Sequence, residues 1–456
     1  MISEIEKKLF QHHVTLLQER LWKNIDSQKS YDAIVVSSGK KDYYFVDDQS
    51  VPFERIPHFV QWCPAPGEGH TLILEKGKKP KLVFYCPDDY WHETPSAEGY
   101  WVESFDVELL KDRSKRFDSL KGRSSIGYIG PETDLPASFL ANPDILVKTM
   151  DWLRSYKTPW EIYQLREASM VGARGHLAAQ KCFMSGGSEF DIYLSYLKAV
   201  GQTDDELPYG TIIGLNEHAG YLHYEAKEQN IRGSVLLIDA GARRNGYGSD
   251  ITRTWTSTPG GKTAKGREVS SNGLAVFNSI LADLEGLQLE VCGLIKLGMT
   301  FVELHKTTCL LIAKIAGKHE LVSSLPDDER MQLAIARTFF PHGLGHMLGI
   351  QVHDVAGHQF NMTGQMFDPN AEFPSLRNYR TIEAGHVFTI EPGFYFVPML
   401  LDQLTSKYPE IKLNHRLVEE LIPCGGIRIE DNIHMGPKGV ENLTREAFKI
   451  LSDSVS

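Results

Sequence analysis

At 456 residues the chain is longer than one ordinary hydrophobic core supports, so two domains are expected. Its 42 % hydrophobic and 23 % charged residues are those of a globular protein, which excludes a disordered or fibrous chain. A net charge of −11 with no run of Lys or Arg argues against a nucleic-acid partner, and no apolar stretch approaches the roughly 20 residues that span a bilayer.

The opening MISEIEKKLFQHHVTLLQERL alternates charged and apolar residues at helical spacing and lacks the basic and apolar regions of a signal peptide. YDAIVVSSG (31–39) reads as a buried strand, HTLILEKGKKPKLVFYCP as a hairpin, and RSSIGYIGPE (123–132) as a further strand. SVPFERIPHFVQW (50–62) carries Phe53, Phe59 and Trp62 among Pro and charged residues, which suits an interface or packing inside the domain. Alternating strands and helices predict a compact α/β domain at the N-terminus. At 157–161 the chain changes character: Thr158 suits an N-cap, Pro159 the first helical position and Glu161 the third. The expected domains are therefore 1–156 and 157–456.

The second domain is predicted to open with helices over about 159–185 and 188–201, followed by a long helical block near 267–317. The stretches 357–380 and 398–424 show little periodicity and read as loops shaping the mouth of a pocket. Six cysteines, at 63, 86, 182, 292, 309 and 424, form no CxxC pair, a pattern expected of reduced thiols in a cytoplasmic protein.

SVLLIDAG is an apolar strand ending in Asp239, Asn245–Gly246 is a turn signal, and DITRTWT alternates from Asp250 onward. A hairpin there brings Asp239 and Asp250 to one point, and a buried acid needs a partner such as a metal. FPHGLGHMLGIQVHD holds His342, His346 and His353; Pro341 and the glycines predict a loop entering a helix, with the imidazoles doing different jobs. VFTIEPGFYF is a strand centred on Glu391 and broken by Pro392–Gly393. In GGIRIEDNIHM, Arg428 and Glu430 share one face, which by itself fits a surface ion pair as well as a site. In order these are Asp, Asp, His, Glu and Glu. Oxygen-rich ligation with one imidazole suits a pair of divalent ions better than a lone Zn²⁺. Such a pair activates water and clamps a displacement, so the chain reads as a metallohydrolase.

These motifs resemble those of the pita-bread metallopeptidases. SVPFERIPHF, KPKLVFYCPDDYWH, KTPWEIYQLREAS, PYGTIIGLNEHAGYLHY and CGGIRIEDN are similar to the bacterial Xaa-Pro dipeptidase (prolidase) group, which includes the organophosphorus acid anhydrolases. The resemblance implies an α+β protein, with a C-terminal pita-bread catalytic domain behind a smaller α/β domain. It implies Asp239, Asp250, His346, Glu391 and Glu430 as metal ligands, Asp250 and Glu430 bridging two Mn²⁺ ions, with Co²⁺ or Zn²⁺ as alternatives. His223, His342, His353 and Arg428 match substrate-binding and proton-handling positions, and Tyr209 and Asp48 match pocket positions. By the same analogy Asp48 reaches in from the neighbouring subunit of a homodimer. Cys424 departs from the group, which carries an aromatic residue there.

The expected reaction is hydrolysis of small peptides, dipeptides ending in proline, by a metal-bridging hydroxide. Glu391 would act as base, His353 would polarise the carbonyl, and His223 with Arg428 would hold the free carboxylate. Hydrolysis of organophosphorus triesters is an expected side activity. The alternatives are an aminopeptidase P acting on longer peptides and a metal-free binding module on the same fold.

Overall fold

The computed structural model describes residues 4–258 and 268–454. The first three residues of the expected opening helix and residue 267 of the expected helical block lie outside them. The chain forms two compact units, Met1–Tyr163 with Gln359–Met366, and Gln164–His358 with Phe367–Ser456.

In the first unit, helix α1 (Glu4–Ile25) buries Phe10, Val14, Leu17, Leu21 and Ile25, the three- and four-residue spacing of one apolar stripe. Strands β1 (Ala33–Ser37), β2 (Thr71–Leu74), β3 (Lys81–Tyr85), β4 (Asp106–Leu110), β5 (Ile126–Ile129) and β6 (Phe139–Ala141) form a six-stranded sheet in the order β4-β3-β2-β1-β5-β6. The expected hairpin is β2–β3, antiparallel, while β1–β5, β3–β4 and β5–β6 are parallel. Helices α2 (Pro57–Trp62) and α3 (Asp144–Arg154) complete the unit. Phe59 and Trp62 are fully buried here, so of the two readings of 50–62 they take packing inside the domain. The helix start at Thr158 is a reciprocal cap: Glu161 N–H donates to Thr158 Oγ1 (3.4 Å) and Thr158 N–H to Glu161 Oε2 (2.7 Å).

Helices α4 (Pro159–Met184) and α5 (Glu189–Val200) match the two expected at the start of the second domain. Strands β7 (Ile212–Leu215) and β8 (Val235–Asp239) and a later strand, β11 (Thr252–Thr256), form an antiparallel sheet in the order β11-β8-β7. Between β8 and β11 a short hairpin of β9 (Arg243–Arg244) and β10 (Tyr247–Gly248) turns at Asn245 (φ 48°) and Gly246 (φ 91°), the paired positive φ of a tight reversal. Helices α6 (Ser271–Leu294), α7 (Phe301–Lys318) and α8 (Glu329–Phe339) cover the core. The expected block near 267–317 is therefore two helices, parted where Thr300 caps the second.

The remaining strands are β12 (Val387–Ile390), β13 (Gly393–Tyr395), β14 (Gly426–Arg428), β15 (Asp431–Gly436) and β16 (Gly439–Asn442), closed by helix α11 (Leu443–Asp453), with α9 (Pro398–Lys407) and α10 (His415–Leu421) before β14. Two expectations are corrected. The stretch 398–424 is not a loop but α9 and α10, ten and seven residues long. Helices of two or three turns are too short to display a period, and only Pro398 at the start of one and the Asn414 cap of the other announce them. HGLGH does not enter a helix: it follows the end of α8, and 342–350 contains no helical turn. The stretch 357–380 is irregular, as expected, apart from a bridge between Gln359 and Met366.

Candidate metal centre and active site

Five acidic and imidazole side chains converge because three chain segments are forced together at the backbone. β8 ends in Asp239, whose register partner on β11 is Thr252; Asp250 precedes that strand, and its N–H is tied to Asn432 Oδ1 at 3.2 Å. The segment carrying His346 runs along β12: Glu391 N–H donates to Leu344 O (2.8 Å), Thr389 N–H to His346 O (3.0 Å) and Leu348 N–H to Val387 O (2.9 Å). Only glycine permits this approach, since a Cβ at Gly345 would lie 2.0 Å from Thr389 O. The two glycines of HGLGH serve close packing rather than helix entry.

The third segment pair is a single antiparallel ladder with a gap. β12 pairs with β15 from Val387↔His434 to Ile390↔Asp431, and β13 pairs with β14 from Gly393↔Arg428 to Tyr395↔Gly426. The register is the same on both sides. Glu391 therefore stands opposite Glu430 and Pro392 opposite Ile429, whose N–H donates to Pro392 O at 3.3 Å. Like charges directly opposite one another destabilise a sheet, so this arrangement calls for a cation.

Three further observations fit the residues to divalent metal. His346 Nδ1–H donates to Met347 O (3.0 Å), and Nε2 faces Asp250 Oδ2 at 3.3 Å and Glu391 Oε1 at 3.6 Å. Those acids raise the imidazole against burial, so without metal a proton sits on Nε2 where a cation can replace it, and a ring whose other N–H is held by a carbonyl is the usual form of a metal-binding histidine. Tyr209 OH is 2.7 Å from Asp239 Oδ1 and 2.6 Å from Asp250 Oδ1, yet it has one proton to give. Ligand atoms of Asp250, His346 and Glu430 lie within 4.8 Å of one another.

The electrostatics agree. Burial, then the charges of Asp250, Glu391 and Asp239, hold the Glu430 carboxyl well above its usual range. Burial raises Glu391 to about 7, with Asp250 and Asp239 adding to it against the opposing pull of His346 and Arg428. Asp239 is raised by burial against the pull of Arg428; Asp250, despite burial, is lowered by its contact with His346. Such crowded acids bind protons when alone and exchange them for metal ions.

A cavity of about 930 Å³ opens over these groups, and Tyr209, His223, His342, His353, Arg428 and all five expected ligands line it. His342 Nδ1–H donates to Gly343 O (2.9 Å), and burial with the Arg428 charge lowers its pKa to about 3. His353 packs edge-on to His346 with ring centroids 4.4 Å apart; desolvation, His346 and Arg377 lower it to about 4. Both imidazoles are neutral near pH 7. Arg428 spends its guanidinium on the protein, donating to Asp239 Oδ2 (2.5 Å), Tyr395 OH (2.6 Å) and Thr252 Oγ1 (3.1 Å). Arg377 was missed by the sequence reading. It lines the same cavity, is exposed, and its guanidinium has no carboxylate partner among the described residues. The only sequence signal was one of two arginines, Arg377 and Arg380, in a stretch already expected at the pocket mouth.

Asp48 is not among these groups; it is exposed in the first unit, near the tip of a short hairpin closed by a Tyr43–Ser50 bridge. Cys424 is fully buried, so its departure from the expected aromatic residue concerns the core and not the ligands.

The fold is that of a pita-bread metallopeptidase, and the chain belongs to metallopeptidase family M24, which residues 163–437 match. Residues 8–152 match the N-terminal domain of Xaa-Pro dipeptidases. An Xaa-Pro dipeptidase of Aeromonas hydrophila is 39% identical over 453 residues, covering 96% of this chain and 98% of that protein. One of Marinobacter nauticus is 40% identical over 440 residues, covering 95% and 97%. Within the family, then, the chain stands among the Xaa-Pro dipeptidases. Escherichia coli aminopeptidase P, with the inhibitor Pro-Leu, superimposes with a TM-score of 0.67 over 99% of each chain at 22% identity, a likeness of fold.

Proposed function

We propose that the chain hydrolyses dipeptides with a C-terminal proline, using two divalent cations, Mn²⁺ foremost, held by Asp239, Asp250, His346, Glu391 and Glu430. The observation carrying this reading is the opposed pair Glu391 and Glu430 beside a cation-facing His346, in a chain about two-fifths identical to named Xaa-Pro dipeptidases along nearly its whole length.

Bound divalent cations supply Lewis acidity to the scissile carbonyl and lower the pKa of the attacking water. Glu391, beside the place of that water, would take its proton and hand it to the departing prolyl nitrogen. His353, neutral and at the cavity wall, offers an N–H to the oxygen on which charge develops. With Arg428 engaged by Asp239 and Tyr395, Arg377, which has no carboxylate partner among the described residues, is the cation that, with His223, would grip the substrate's carboxylate. A grip on that carboxylate limits the substrate to two residues. Proline's tertiary amide offers no N–H, so an enzyme for this bond must hold the substrate by its ends.

The proposal extends to a cytoplasmic homodimer in which Asp48 reaches the partner's cavity. Its support is six free thiols and an exposed acid at a hairpin tip. No described helix is long and apolar enough to cross a membrane. Phosphotriesters, tetrahedral at phosphorus like the peptide transition state, are proposed as slow alternative substrates.

The test is a panel of Ala-Pro, Ala-Pro-Ala and Ala-Ala, assayed on chelated enzyme before and after Mn²⁺ is restored. Metal-dependent cleavage of Ala-Pro alone is expected. Preferential cleavage of the tripeptide would replace this reading with an aminopeptidase P.

A further inference from the structure

A second cavity, of about 550 Å³, lies behind the wall formed by Pro341–His342 and Pro374–Leu376, which it shares with the first. Its lining contains no Asp or Glu, although the chain carries eleven more acids than bases. Two cations line it instead. Arg337 of α8 is half-buried; it gives one N–H to Glu372 O (2.9 Å) and has no carboxylate within ion-pair distance among the described residues. Lys407, exposed at the end of α9, lies over the Tyr408 ring and likewise has no carboxylate partner.

His305 of α7 contributes a polar group from the interior. It is 3 % exposed, packed edge-on against Phe373 with centroids 4.7 Å apart. Its Nε2 lies 3.6 Å from Cys309 Sγ, and its Nδ1 has no hydrogen-bond partner. Burial, with the Arg337 charge, lowers the imidazole to about 4, and burial raises the Cys309 thiol to about 12. Both groups are thus neutral. A thiol donates better than it accepts, so S–H···Nε2 leaves the proton on Nδ1 as a buried donor lacking an acceptor. Phe340, Phe373, Leu400 and Leu404 supply apolar walls.

We propose that this cavity is a second small-molecule site, built for a carboxylate with an apolar body. Its charge meets Arg337 and Lys407, and its body lies on the aromatic and leucine walls, with His305 buried behind them. A free amino acid fits poorly, because its ammonium group would face two cations with no acid to answer it.

The test is calorimetric binding to the full-length, Mn²⁺-loaded protein of 3-phenylpropionate, its uncharged amide, and phenylalanine. We expect 3-phenylpropionate to bind, the other two not to, and Arg337→Gln or Lys407→Gln to weaken binding at least about tenfold. Glu430→Gln, expected to lose at least one metal ion, leaves this binding unchanged. Absent binding, equal binding of the amide, loss of binding in Glu430→Gln, or no effect of the cation substitutions overturns the proposal. Should Arg337→Gln fail to fold, Lys407→Gln at its exposed position decides the same question.

Discussion

Glu391 and Glu430 stand directly opposite each other across one antiparallel ladder, at its gap. Two buried carboxylates in that relation repel, and the neighbouring Asp239 and Asp250 add to the excess. Without cations this part of the second unit is electrostatically frustrated; with them the same acids become its clamp. Stability and metal content are therefore linked.

Glu430→Gln separates these two roles. In metal-loaded protein the substitution should abolish most activity and lose at least one ion, since Gln keeps the shape but not the charge. In chelated protein it should be more stable than the parent, by about 1 kcal/mol and more so as pH rises, because a buried carboxyl that must take up a proton to escape its acidic neighbours is replaced by a neutral amide. Metal analysis with thermal melts of both forms checks this. Full metal occupancy with near-normal turnover would dismiss Glu430 as a ligand.

Arg377 and Arg428 should fail differently. Arg377→Ala should raise KM for Ala-Pro about tenfold or more with a smaller effect on kcat, because it removes a charge-assisted contact to the substrate. Amidating the substrate's carboxylate should hurt the parent similarly and Arg377→Ala hardly at all. Arg428→Lys should lower kcat and metal content instead, since an ammonium cannot hold Asp239, Tyr395 and Thr252 together. Reversed phenotypes would return the carboxylate grip to Arg428.

His70 gives the first unit a pH dependence of known sign. It is fully buried; Tyr85 N–H donates to its Nδ1 (3.0 Å), so the ring proton sits on Nε2 and meets Pro66 O (2.7 Å). A second proton has no place there, and burial, with the Arg55 charge, lowers the pKa to about 4. The folded value lies below the unfolded one, near 6.5. The contribution is therefore complete above pH 6.5 and lost as pH falls towards 4, up to about 3 kcal/mol. Urea midpoints at the two ends of that window should converge in His70→Gln, whatever its absolute stability. An undiminished pH slope in the mutant would assign the effect elsewhere.

Asp48→Ala should leave metal content untouched and narrow the preference for dipeptides over tripeptides, if the acid closes a partner's cavity. The measurement is the ratio of Ala-Pro to Ala-Pro-Ala rates alongside mass by light scattering. An unchanged ratio in an intact dimer, or a monomeric parent enzyme, removes Asp48 from the site.

The candidate ligands were legible as a set, since an acid that follows an apolar run makes no physical sense buried without a partner, and the HGLGH, Glu391 and Glu430 segments add acids and imidazoles in the same domain. Asp239 after Val-Leu-Leu-Ile is the plainest case. The purpose of Gly345 was not legible: the contact that forbids a side chain there is with Thr389, more than forty residues away. Arg428 read from sequence as an ion pair with Glu430 or a site residue; its partners Asp239 and Tyr395 come from other strands and were not legible. Arg377 was hidden for the opposite reason, lying in a stretch whose path is set by tertiary packing. Helices α9 and α10 were lost because seven or ten residues cannot display a period.

The shared register of the Glu391 and Glu430 segments also limits how this chain can change in length. Side chains on a strand alternate faces, so one residue inserted or deleted within 387–395 or 426–436 turns one glutamate away from the other. Length variation has to fall where the ladder does not count it, as in 396–425, the connection that closes the pair. Grafts, tags or loop exchanges aimed at reshaping the enzyme belong there, and a design that shifts the ladder by a single position would keep the fold's outline while dismantling its centre.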